Sequence, residues 1–147
     1  MSATPGSIAE HVGVLQWSTG TASSTPLAGT AADMENVGKA LVVFRLGDMA
    51  AETIDCIVET CDSNGANNVT LKAATQLGAH ASNNDSKVIV IGVEQNEVVA
   101  SGKQYIRGKI TTGNTVGGTC SIAVLGAEFR HGPASTQDNA FVVEVKP

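Results

Sequence analysis

Aromatic side chains are scarce in this chain: Phe, Trp and Tyr make up 3% of 147 residues, and Trp17, Phe44, Tyr105, Phe129 and Phe141 are all of them. A core must be packed from Val, Ile, Leu and Ala, and a sugar site made of several stacked rings lacks its material. Basic residues are missing from the front, where residues 1–38 hold Glu10, Asp33 and Glu35 but no Lys or Arg. The net charge is −5, from 14 acidic and 9 basic side chains. That balance argues against nucleic acid as a partner, because phosphate binding needs a basic surface. The three cysteines, Cys56, Cys61 and Cys120, include no CxxC pair. An odd count of this kind disfavours a disulfide framework and a zinc site, and small buried thiols in a reducing compartment are expected. Apolar runs such as residues 88–93 fall far short of the ~20 residues that span a bilayer. The N-terminus also lacks a basic n-region and an apolar h-region. A soluble protein with no membrane partner is expected.

Catalytic and cofactor patterns fail in turn. His11, His80 and His131 sit far apart with neither HxH nor HExxH spacing. Gly102-Lys103 has Glu97 where a phosphate loop needs its first Gly, and Gln104 where Ser or Thr belongs. Residues 62–73 begin like a calcium loop, but Gly65 comes too early and Ala73 stands in place of the closing Glu. No GxSxG elbow presents a serine. Asp55 with Glu59, and Glu94 with Glu97, are acidic pairs. Alternation puts the first on a solvated strand face, and the second sits at a strand end. Arg107 and Lys109 share a face with Tyr105, a thin basis for a nucleic-acid surface in an acidic chain. Neither an enzyme nor a metal or cofactor site is expected.

What the chain does have is β pattern. Residues 39–46 (KALVVFRL) have high strand propensity, and residues 53–60 alternate with Ile54, Cys56 and Val58 on one face. Asn64-Gly65 is a tight-turn signal before another strand at 69–77. Residues 87–93 (KVIVIGV) are almost wholly apolar and read as a strand buried on both faces. Residues 103–112 and 119–129 alternate around Ile106, Gly108 and Ile110, and around Cys120, Ile122 and Val124. Helical turns fit only within 33–41 and 92–101. Short strands at regular spacing define an all-β, single-domain antiparallel sandwich or jelly roll. Its core is expected at Ile54, Val58, Val90, Ile122 and Val124, with Cys56 and Cys120 buried and Cys61 near a strand end.

The expected organisation is an extended N-terminal arm at 1–36, the sandwich at 37–130, and a C-terminal tail at 131–147 with one short strand. Residues 20–30 (GTASSTPLAGT) are nearly charge-free and of low complexity, and the apolar stretch at 8–17 alternates only loosely, which leaves room for one strand or an anchoring segment. Both ends are poor in core-forming periodicity yet carry isolated apolar groups. Val14, Leu15 and Trp17 in front, and Phe141, Val142, Val143 and Val145 behind, are therefore the candidate protein-interface residues.

From Lys39 onward the sequence resembles the jelly-roll decoration, or cement, proteins on the heads of tailed bacteriophages. The resemblance rests on KALVVFRLGD at 39–48, IVETCDSNG at 57–65, KQYIRGKITTGN at 103–114 and SIAVLGAEFRHGPAS at 121–135. Within these, Tyr105-Ile106-Arg107, Val124-Leu125-Gly126, Arg130 and Pro133-Ala134 follow the order of the family's elements. It covers about two-thirds of the chain and none of residues 1–36. It implies a virion protein, assembled in the host cytoplasm, that binds the major capsid protein on the capsid exterior. There it would brace the subunits against internal DNA pressure as a homo-oligomer, a dimer or a trimer. The alternative is a carbohydrate-binding sandwich from an adsorption or tail-associated protein.

Overall fold

The computed structural model describes residues 12–49, 53–78, 86–113 and 117–129. Their strands are β1 (Val12–Ala22), β2 (Leu27–Ala28), β3 (Ala32–Asp33), β4 (Val37–Leu46), β5 (Ile54–Cys61), β6 (Val69–Ala73), β7 (Val88–Glu94), β8 (Tyr105–Thr112) and β9 (Gly118–Phe129). One short helix, α1 (Gln95–Ala100), follows β7. Local chemistry accounts for the joints. The Gly65 amide donates to the Asp62 carbonyl at 2.8 Å, with Gly65 at φ +76°, so the Asn64-Gly65 signal is spent on the turn after β5. Glu94 and Glu97 form a reciprocal capping box that starts α1, and Gly102 at φ +75° lies just past its end.

The strands form two antiparallel sheets. One has the order β1-β9-β4-β7, and the other has β2-β8-β5-β6 with β3 also on β8. The pairings are nested: β1 with β9, β2 and β3 with β8, β4 with β7, and β5 with β6. A long hairpin rolled over itself gives this nesting, and it is the jelly-roll form of the β-sandwich. Alternation then sends Val42, Phe44 and Leu46 of β4 and Ile122 and Val124 of β9 inward. They meet Ile54, Cys56 and Val58 of β5 and Ile106 and Ile110 of β8. Gly108 makes room for side chains of the facing sheet, since a Cβ there would lie 2.6 Å from Ile122 and 2.9 Å from Phe44.

The expected core residues Ile54, Val58, Ile122 and Val124 are buried, and Val90 is not. It is 53% exposed, because β7 ends its sheet and turns alternate residues outward. The apolar run at 87–93 is an edge strand with only Ile91 and Val93 buried, instead of a strand covered on both faces. A second correction concerns the front. Residues 12–33, expected within an extended arm, supply β1, β2 and β3, and β1 pairs with β9 over most of its length. Of the two possible helical segments, residues 95–100 form α1, whereas 37–41 belong to β4. Cys56, Cys61 and Cys120 are buried and free, with Cys61 closing β5. Burial above all, with Cys120 and Asp55 adding to it, pushes the Cys56 thiol up to about 12.

Phe44 is fully buried against the opposite sheet, so Phe44→Ala is expected to lower the unfolding free energy by about 3–5 kcal/mol in urea denaturation. Val90→Ala, with its exposed side chain, should stay within about 0.5 kcal/mol of the parent.

Candidate protein-interaction face

The outer face of the four-stranded sheet departs from the usual polar exterior of a sandwich. Cross-strand register assembles it residue by residue. Trp17 lies opposite Ala123, Ala123 opposite Val43, and Val43 opposite Val90, an apolar row across all four strands. The neighbouring row is Val14, Leu125, Leu41 and Gly92. On one side of these rows, Thr19, Ser121 and Arg45 lead to Val88. Trp17, Leu41, Val88 and Val90 are between 42% and 57% exposed, so the surface is open to a partner. Large contiguous apolar patches of this kind mark interaction sites.

A β-bulge sets the composition of this face. The register of β1 on β9 shifts between Val14 and Gln16. The extra residue brings Val14 and Trp17, three apart, to the same side, while Leu15 turns into the core at 4% exposure. Of the three candidate contact residues in front, Val14 and Trp17 therefore stand on the outer face, and Leu15 is a core residue. Phe141, Val142, Val143 and Val145 lie outside the described residues. Sequence reasoning missed Leu41, Val43, Val88, Val90 and Leu125. For Leu41, Val43, Val88 and Val90 the signal was in the runs LVVF and VIVIGV, and for Leu125 in IAVL at 122–125, all apolar at both parities, which puts apolar side chains on both faces of the sheet.

Two concavities shape the face. One, of about 660 Å³, has Leu41, Gly92, Leu125 and Ala127 among its lining, with Lys72 and Glu97 at its rim. The rim charges are paired, Lys72 Nζ lying 2.8 Å from Glu97 Oε2. The other, of about 340 Å³, places Trp17 with Thr19, Arg45, Ser86 and Ser121.

The acidic pairs are engaged elsewhere. Asp55 accepts from Gln76 Nε2 at 2.9 Å. Glu59, expected on a solvated face, is instead buried at 3% exposure. Its Oε2 accepts from Arg107 Nε at 3.0 Å, and its Oε1 pairs with Lys109. Both cations are themselves largely withdrawn from solvent, at 16% and 25% side-chain exposure. Burial pushes the Glu59 pKa up, but the bonds from Lys109 and Arg107 outweigh it and hold the carboxyl below its ordinary range. Among the described residues, no cluster of three or more His, Cys, Asp or Glu side chains suits a metal ion. No helix among them is long and apolar enough to cross a membrane.

No known family matches this sequence, and no curated protein does. Among solved structures, the exported protein XepA of PBSX superposes with a TM-score of 0.53 at 15% identity, over 99% of this chain and 44% of that one. A protein of the disulfide-linked pili of Bacillus endospore appendages gives 0.45 at 9% identity, over 86% of this chain and 98% of its own. VP2 of an infectious bursal disease virus subviral particle gives 0.44 at 11% identity, over 80% and 32%. This chain thus spans less than half of XepA and about a third of VP2. The XepA likeness is one of fold.

Because the folded Glu59 carboxyl titrates below its unfolded value of about 4.3, its ion pairs stabilise the protein fully above that pH. That stability is lost as pH falls through the folded pKa. The lead of the parent over Glu59→Gln in urea denaturation is expected to be constant from about pH 7 to 5 and to shrink steadily below about pH 4.

Proposed function

We propose that this protein is a structural component of a phage virion that binds the outer surface of the capsid and stabilises contacts between major capsid subunits. The observation that carries the proposal is the double apolar row across the outer face of the four-stranded sheet, with Trp17 standing 42% exposed at one end. A sheet face with one large ring, apolar neighbours and two shallow concavities suits a broad protein surface. The aromatic residue is the natural anchor, and the smaller groups exclude water around it. The sequence resemblance to decoration proteins supplies the kind of partner, and the jelly-roll fold is the one that resemblance implies.

On this reading Val14 and Trp17 are contact residues, and the apolar tail residues Phe141, Val142, Val143 and Val145 add contacts beyond the sheet. The site of action is the capsid exterior, reached by assembly in the host cytoplasm. A sugar-binding reading has Trp17 beside Arg45 and four hydroxyl residues as its only support. It offers one ring where stacking platforms use several.

The test is a sedimentation assay with undecorated capsids. The parent should co-sediment stoichiometrically and saturate, and Trp17→Ala should weaken binding by at least about 30-fold, as expected for a loss of about 2 kcal/mol at an aromatic anchor. Unchanged binding by a folded Trp17→Ala variant would remove the outer face from the interaction. Saturable binding to a glycan array, lost with Trp17, would replace the capsid reading with the sugar one.

A further inference from the structure

The free edge of β7 is a second surface, and its hydrogen-bond phase can be worked out. The Leu46 amide donates to the Lys87 carbonyl at 2.8 Å, and the register places Arg45 opposite Val88, Val43 opposite Val90 and Leu41 opposite Gly92. In an antiparallel pair, hydrogen-bonded positions alternate with positions whose N–H and C=O point away. Residues 87, 89, 91 and 93 therefore bond to β4. The other side of β4 agrees, since its odd-numbered residues turn toward β9, with Gly47 N donating to Thr119 O at 2.9 Å. The backbone groups of Val88, Val90, Gly92 and Glu94 are left facing outward, where no described strand pairs with β7.

Half of that edge is guarded. The Gly92 carbonyl accepts from Lys72 Nζ at 2.8 Å, reaching over from β6, and the Glu94 amide donates to Glu97 Oε2 at 2.9 Å. Covering an edge with a lysine is a common defence against unwanted pairing. The defence stops short of Val88 and Val90, whose side chains are also 57% and 53% exposed.

We propose that this open half-edge is a self-association site, joining two copies of the chain antiparallel through Val88 and Val90. The occupant is a second copy because the open groups are complementary to themselves. About a two-fold axis at Ile89, Val88 of one copy meets Val90 of the other, twice, and the pairing uses the backbone groups that the guards leave open. A one-step shift would set Val90 against Val90 and bring Val88 opposite Gly92, whose carbonyl Lys72 occupies. A longer strand from another protein would meet the same lysine and then α1. A shift the other way would set Val88 against Val88 and bring Val90 opposite Ser86, whose amide already donates to the Gly47 carbonyl at 3.0 Å. Lys72 and Ser86 thus bound the pairing at its two ends. The exposed valines pack side by side across the seam, a favourable cross-strand arrangement. The contact is isologous and closes, giving a dimer in place of a fibre. The two four-stranded sheets become one, and their apolar outer faces join into a surface twice as wide.

Sedimentation equilibrium of the full chain tests this. The parent should form a dimer, and Val90→Pro should dissociate at least 10-fold more readily with unchanged far-UV circular dichroism. Proline at 90 removes an N–H that faces away from β4, and proline is tolerated on an edge strand. If Val90→Pro does not fold, Val88→Lys makes the same comparison by setting a charged side chain against Val90 of the other copy. Trp17→Ala should leave the dimer intact. A parent that stays monomeric up to about 1 mM would overturn the inference, as would dimers of unchanged affinity in both edge variants. Loss of the dimer in Trp17→Ala alone would also overturn it, by placing self-association on the outer face. A monomeric parent, or unchanged dimers in both edge variants, leaves the capsid-binding comparison of Trp17→Ala as it stands, so failure of this inference and failure of the capsid reading are distinguishable.

Discussion

The structure turns on the phase of β4. Its even-numbered residues 40–46 are apolar and point into the sandwich, where Val42, Phe44 and Leu46 are fully buried. Its odd-numbered residues include Leu41 and Val43, and these point out. A strand in an antiparallel sandwich needs apolar side chains on one face only, because water covers the other. When both faces of the central strands are apolar, the fold accounts for one of them and leaves the other exposed among the described residues. β9 repeats the pattern, with Ile122 and Val124 inside and Ala123 and Leu125 outside. The outer face is thus tied to the register of the core, and a slip of one residue would exchange the two.

The same double-sided pattern explains where sequence reading succeeded and where it failed. Strands with a polar face, such as β5 and β8, show plain alternation, and their inward residues Ile54, Val58, Ile106 and Ile110 are buried as their parity requires. β7 has no polar parity. A run such as VIVIGV is equally consistent with a strand covered on both sides and an edge strand beside an apolar surface, and only the pairing order separates these. Val90 fell on the wrong side of that ambiguity. In β1 the obstacle was the bulge at residues 14–16, which breaks the period of two and makes a well-paired strand look like an irregular arm. The bulge also hid the division of labour among Val14, Leu15 and Trp17. Glu59 was misplaced for another reason: alternation gives a side chain's direction but not what covers it, and here two long cations from β8 do so.

The two surfaces left by this fold, the apolar outer face and the open edge of β7, are geometrically coupled. Val90 ends the row that begins at Trp17, and it also carries backbone groups on the open edge of β7. A second strand added at that edge would continue the outer rows instead of interrupting them, because alternate residues of the added strand share the same pleat. Edge pairing and face docking therefore add to one another. The first contributes directional hydrogen bonds that fix orientation, and the second contributes area. Lys72 keeps these roles distinct. By taking the Gly92 carbonyl and pairing with Glu97, it closes the edge at the end where β7 runs into α1, and it borders the cavity floored by Leu41 and Leu125. One side chain thereby limits how far a strand can pair along β7 toward α1 and lines the larger concavity of the outer face on the same side.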